Sequence, residues 1–244
     1  MHQEQIVVAV TLACVLLAVV LLVAWSARHR RRVAIERAEF IARYRFPSEL
    51  RRRIGAAHPE WTFAQIDRLL EGLREYFAAC LSAQRGRAIS RLLGMPSAGV
   101  DDAWHAFIVM TADYAAFCQR AFGRFLHHTP HTLIPEPMDD ALANTLHQIR
   151  GRSLVGGAAG AALVGVPLLF ALDRELGMPG GQVYGEGDLD RLEARGRHLA
   201  AMRSSGDAGG DGGSSDCGAS GSGSCDAGSG CGGGGGCGGG CGGA

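Results

Sequence analysis

Residues 100 to 128 hold the densest group of donors, acids and bases in the chain: Asp101, Asp102, Trp104, His105, Tyr114, Cys118, His127 and His128. Imidazole nitrogens and thiolate sulfur are ligands for Zn²⁺, so His105, Cys118 and one of His127 or His128 form a candidate metal set. The order is His105, twelve residues, Cys118, eight or nine residues, then His; it matches no standard zinc module. Three such donors with a fourth position open suit a catalytic ion better than a structural one. A Cys–His nucleophile pair is a second chemistry for the same residues. A third reading contains no chemistry. Asp101, Trp104 and His105 then form a hydrogen-bonded motif, with Tyr114, that locks helix packing, and Cys118 is a small core residue. Residue types alone leave all three open. They assign no catalytic residue, and Zn²⁺ is the one cofactor they bring to mind.

Geometry sets a condition on the first two. On one unbroken helix His105 and Cys118 lie about 20 Å apart along the axis, too far to share a ligand. Thr111 is a candidate N-cap, and a break there yields two short helices, near 98–110 and 112–122. Asp101 and His105 then stand four apart on the first, where the carboxylate orients the imidazole. Tyr114 and Cys118 share the same spacing on the second. Gly123 is placed to end that helix and turn the chain into Phe125, Leu126, His127 and His128.

Val100-Asp101, Trp104-His105, Tyr114, Cys118, Phe122-Gly123-Arg124 and a histidine at 127 or 128 together resemble the core motif of the glycine-rich domain-containing proteins. The resemblance runs over roughly residues 47–137. Plant members usually carry a second histidine two residues after the first, where this chain has Phe107. The resemblance implies an α-helical domain followed by a glycine-rich C-terminal region, and it carries no general enzymatic activity.

The elements around the motif read as helical from Val33 to Gln148, so the expected fold class is all-α. Pro47-Ser48-Glu49 has a helix-initiating pattern, and His58-Pro59-Glu60 interrupts the helix it starts. Thr62 and Gln65 form a capping box. Behind it, Phe63, Ile66, Leu69, Leu70, Leu73, Tyr76, Phe77 and Cys80 recur at spacings of three and four, one apolar face. Cys80 belongs to that face and is expected to be a buried thiol.

Residues 6–25 are twenty uncharged positions rich in Val, Leu and Ala, the length needed to cross a bilayer. No Lys or Arg precedes them, and Arg28-His29-Arg30-Arg31-Arg32 comes after. That asymmetry places the C-terminal side in the cytoplasm, with Trp25 at the interface. A cleaved signal peptide has the basic cluster in front and a shorter apolar core, so an anchor is preferred. A second uncharged run, 153–172, is diluted by four glycines and Pro167. It reads as a Gly/Ala linker into a short helix that docks back on the body, with a second span as the alternative.

From Ser204 to Ala244 the chain is almost wholly Gly, Ser, Asp, Ala and Cys. With no large apolar side chain it cannot offset its own ordering entropy, and a disordered tail is expected. Its Cys217, Cys225, Cys231, Cys237 and Cys241 stand eight, six, six and four apart, too irregular for a folded zinc site. Soft-metal capture, a redox tether or an adventitious low-complexity origin are the readings of these thiols.

All 24 basic residues are Arg and the net charge is zero. Arg, Gly and Ala in such proportion are typical of a high-GC bacterial genome. No aromatic-interleaved basic patch accompanies them, so a nucleic-acid partner is not expected. The organisation expected is an anchor with its basic flank (1–32), a helical domain (33–150), a Gly/Ala linker with short helices (151–203) and the tail (204–244). The function expected is a single-pass bacterial inner-membrane protein whose partners are the lipid bilayer and an unnamed protein, in an interaction or scaffold role. The alternatives are a metal-dependent or thiol enzyme centred on His105 and Cys118, and metal handling by the tail.

Overall fold

The structure is a computed structural model that describes residues 2–87, 92–129, 137–155 and 165–207. Every regular element among them is helical: α1 (His2–Arg43), α2 (Ser48–Ala57), α3 (Phe63–Ser82), α4 (Ala98–Val109), α5 (Thr111–Phe122), α6 (Met138–Val155), α7 (Leu168–Leu176) and α8 (Glu186–Asp207). The all-α class read from periodicity is therefore the class found. Most of the Gly/Cys-rich tail, with its five cysteines, lies outside the described residues.

α1 has two physical characters in one uninterrupted helix. Its apolar part is bare: Leu16, Leu17, Val20, Leu21, Leu22 and Trp25 are all exposed. Among the described residues it is the one helix long and apolar enough to cross a membrane, with a mean hydropathy of 2.1 over its best window. The last two turns instead enter the domain. Ile41 is fully buried, the Phe40 ring lies 5.8 Å from Phe117, and the Arg37 guanidinium donates to the Phe122 carbonyl at 3.0 Å. The arm ends at Arg43, and Pro47 starts the next helix as its N-cap residue.

α3 is the central helix. Its N-terminus carries the expected capping box: the Thr62 side chain accepts from the Gln65 amide, and the Gln65 side chain accepts from the Thr62 amide. The apolar face behind the cap is buried from Ile66 through Leu81, and Phe77 packs against Trp104, Phe107, Phe117 and Phe122. Phe63 is the exception. It stands first in the helix, beside the cap, and points to solvent, 84% exposed. A single π-helical turn, Ala83–Arg87, comes after α3.

The chain breaks between α4 and α5, as the candidate cap at Thr111 predicted, but by another device. Met110, not Thr111, is the junction residue, and no side chain caps α5. Gly123 adopts the left-handed conformation, φ 71°, and closes α5.

α6 buries polar side chains among its apolar ones, with Asn144, Thr145 and Gln148 beside Leu142, Leu146 and Ile149. Asn144 Nδ2 donates to the Leu92 carbonyl at 2.9 Å and Thr145 Oγ1 to the Gly94 carbonyl at 2.7 Å. These bonds hold the 92–97 segment that leads into α4. Gly94 has no Cβ there because one would meet the α6 backbone at Leu142.

In the stretch expected as a linker with short helices, α7 and α8 supply Leu169, Phe170, Leu172, Leu176, Leu189 and Leu192 to the same core as α3 and α4. The docking expected of 167–177 is thus observed. Of the second apolar run, residues 156–164 lie outside the described residues, and its end at Leu169–Leu172 is buried in the domain.

Candidate functional site

Two side chains, one local and one distant, fix the start of α4. Ser97 Oγ accepts from the Val100 amide, an ordinary N-cap. The carboxylate of Asp173, from α7 and only 3% exposed, adds a second cap. It accepts from Ser97 Oγ at 2.5 Å, from the Ala98 and Gly99 amides at 2.8 and 3.1 Å, and from the Gln182 amide at 2.8 Å. A buried charge with this many donors is satisfied where it sits, and the helix N-terminus favours it. Asp173 is not among the candidate residues read from the sequence. A signal for it was available: it falls in the Leu169, Leu172, Leu176 face of α7, where a charge needs partners.

One turn into α4, Asp101 faces two histidines. Its Oδ1 lies 2.9 Å from His128 Nε2 and its Oδ2 lies 3.5 Å from His105 Nδ1. The two imidazole centroids are 4.4 Å apart. One ligand atom from each of the three residues can be chosen so that all lie within 4.8 Å of one another. Asp101 and His105 come from one face of α4, as their spacing implied. His128 comes from the segment after α5 and is the most covered, its side chain 14% exposed against 52% for His105.

What brings His128 here is the rest of the motif. The Trp104 indole N–H donates to Tyr114 Oη at 3.0 Å, and the Tyr114 hydroxyl donates to the Leu126 carbonyl at 2.6 Å. Cys118 is in hydrogen-bond contact with the Leu126 backbone and with Tyr114. Leu126 is thereby held from two sides, and the Trp104 ring meets the His128 ring edge-on at 4.5 Å.

The structure brings some of the candidate ligands together and not others. His105 and His128 come together, and the third donor beside them is Asp101. Cys118 is not in the group: it is fully buried between α5 and Leu126, and burial pushes its thiol pKa up. A thiol so placed is a poor ligand and a poor nucleophile. His127, next to His128 in the chain, is exposed and lies against Phe125 at 5.0 Å. Of the expected motif, Trp104 and Tyr114 share one hydrogen bond, whereas Asp101 faces the histidines instead.

The cluster forms part of the wall of a cavity of about 970 Å³. Tyr76 and Gln84 line it from α3 and the π-helical turn, Leu142 from α6, and Tyr184 from the chain before α8. Gln84 Nε2 is buried and has no hydrogen-bond partner among the described residues. Nothing in the residue order around Gln84 marks it, because the turn that aims it has no sequence signature.

Fold and site together define a class: an all-helical domain joined to one potential membrane-crossing helix, with a carboxylate and two imidazoles on a cavity wall. The chain belongs to the UCP032817-like family, whose model matches residues 36–202. That match takes in Asp101, His105 and His128 and leaves out the apolar part of α1. No curated protein and no solved structure matches the chain.

Proposed function

We propose that this protein is a membrane-anchored binding domain, held by α1 on the cytoplasmic face of a bacterial inner membrane, that takes its ligand or partner in the cavity beside α4. The observation that carries the reading is the continuity of α1. Its bare apolar half runs without a break into turns whose Ile41 is fully buried, which supports an anchor built into the domain over a detachable leader. Arg28, Arg30, Arg31 and Arg32 stand after the apolar stretch as an exposed basic collar, which favours the cytoplasmic leaflet. Lipid is thus one partner, and the cavity supports a second. Kinship with the glycine-rich domain-containing proteins, on the Val100-Asp101 and Trp104-His105 pattern, agrees with a binding role and adds no activity.

The test is fractionation of the full chain. It is expected to stay in the membrane pellet through an alkaline carbonate wash, with an intact mass that includes residues 1–32. A variant lacking 1–32 is expected in the soluble fraction, still helical by circular dichroism. A reporter fused after residue 203 is expected to be active only in its cytoplasmic form. A mature chain cut after the apolar stretch means α1 is a signal sequence and overturns the anchor.

A further inference from the structure

The geometry points to a divalent metal site, of the zinc class, formed by Asp101, His105 and His128 and open toward the cavity. It deepens the binding role proposed above and rests on that reading only for what the open position would hold.

The donors are two imidazole nitrogens and a carboxylate oxygen, which together suit a borderline first-row ion. At zinc bond lengths of about 2.0–2.1 Å, neighbouring ligands of a tetrahedral ion stand roughly 3.3 Å apart. The two separations at Asp101, 2.9 and 3.5 Å, bracket that value. These are to its two different oxygens; with one ligand atom taken from each residue all three lie within 4.8 Å of one another, so the side chains close somewhat on an ion.

The surroundings are those of a prepared site. His128 cannot swing away, because Leu126 is tied to Tyr114 and its ring is met by Trp104. Asp101 and His105 are fixed by one turn of α4, whose start is capped by Ser97 and Asp173. Three protein donors leave a fourth tetrahedral position free, the arrangement of sites that bind an exogenous ligand. All three residues line the cavity. A ligand with an anionic oxygen fits that open position.

A helix latch made of the Asp101–His128 pair alone is the competing account, and His105 separates the two. Its side chain is half exposed, so a latch does not need it, whereas the ion does. The experiment uses the full chain in detergent with Cys217, Cys225, Cys231, Cys237 and Cys241 replaced by Ser, which removes the tail thiols as competing ligands. Co²⁺ is titrated as the probe and its visible d–d absorbance recorded; Zn²⁺ displaces it. An equimolar Co²⁺ complex with tetrahedral intensity is expected, and Zn²⁺ is expected to raise the melting temperature. His105→Ala is expected to keep the metal-free melting temperature and to weaken Co²⁺ binding by more than about a hundredfold, beyond the loss of an outer contact. Asp101→Asn and His128→Ala are expected to lose the ion as well, and His127→Ala to keep it.

Co²⁺ binding that is unchanged in His105→Ala, or lost in His127→Ala, overturns the site. So does the absence of a d–d band, with His128→Ala lowering the melting temperature and His105→Ala doing nothing. Membrane fractionation reads the anchor independently, so either proposal can fail while the other stands.

Discussion

Tyr114 shows how much one hydroxyl can organise. It accepts from the Trp104 indole and donates to the Leu126 carbonyl, so three segments meet at a single oxygen. Tyr114→Phe keeps the ring in the core and leaves a buried N–H and a buried C=O unpaired, at a cost of about 1–3 kcal/mol. Urea unfolding is expected to show that loss. Because Leu126 precedes His128 by two residues, the same variant is expected to weaken the Co²⁺ complex while leaving all three proposed ligands in place. Full Co²⁺ affinity in Tyr114→Phe would show that the motif does not position His128. The resemblance to a named motif was legible at these residues, but their division of labour was not. Cys118 looks like a ligand on paper because thiols usually are; its surroundings, supplied by a chain turn eight residues later, make it a packing and positioning group.

Among the elements, the contact between α1 and α5 decides how the apolar helix is attached. Gly123 ends α5 at φ 71°, and a Cβ there would run into the Arg37 guanidinium. Gly123→Ala is expected to cost about 1–2 kcal/mol for the left-handed backbone alone. It also displaces the Arg37 bond to the Phe122 carbonyl and so loosens α1 from the domain. Thermal melts of the variant, with hydrogen exchange over residues 33–43, check both effects: a lower melting temperature and faster exchange confined to that arm. The capping box of α3 and the stop at Gly123 were readable because both are local. The burial of polar residues on α6 was not, since Asn144 and Thr145 are satisfied by carbonyls some fifty residues away.

For the molecule as a whole, the core is expected to carry a penalty toward alkaline pH. Burial pushes the Cys80 thiol from its ordinary value of 9.0 up to about 12, and Cys118, Tyr76 and Tyr114 are raised for the same first reason. With the folded pKa above the unfolded one, the unfolded chain gives up its proton first. Stability from these groups is complete below about pH 9 and is lost as pH rises toward about 12. Melting temperatures of the full chain across that window are expected to fall steadily, and Cys80→Ala to make the fall shallower. Below pH 9 a thiol reagent is expected to modify the tail cysteines long before Cys80 and Cys118, readable by peptide mapping. Equal labelling of Cys80 and the tail would contradict the burial described.

By itself the sequence determined what depends on neighbours within a few turns. That includes the helical class, the twenty-residue apolar stretch with its basic collar, the cap at Thr62, the stop at Gly123 and the i, i+4 pairing of Asp101 with His105. Near Thr111 it also implied the fold-back without which no cluster exists. The tertiary structure decided which donors share a point. His128 joined Asp101 and His105 while Cys118, an equally good donor on paper, turned into the core. The physical reason is that ligand type is a property of a residue, whereas convergence depends on how distant elements pack. Here it depends on the hydrogen bonds that tie Leu126 to α5 and on a carboxylate from α7, seventy-odd residues on, that fixes the start of α4.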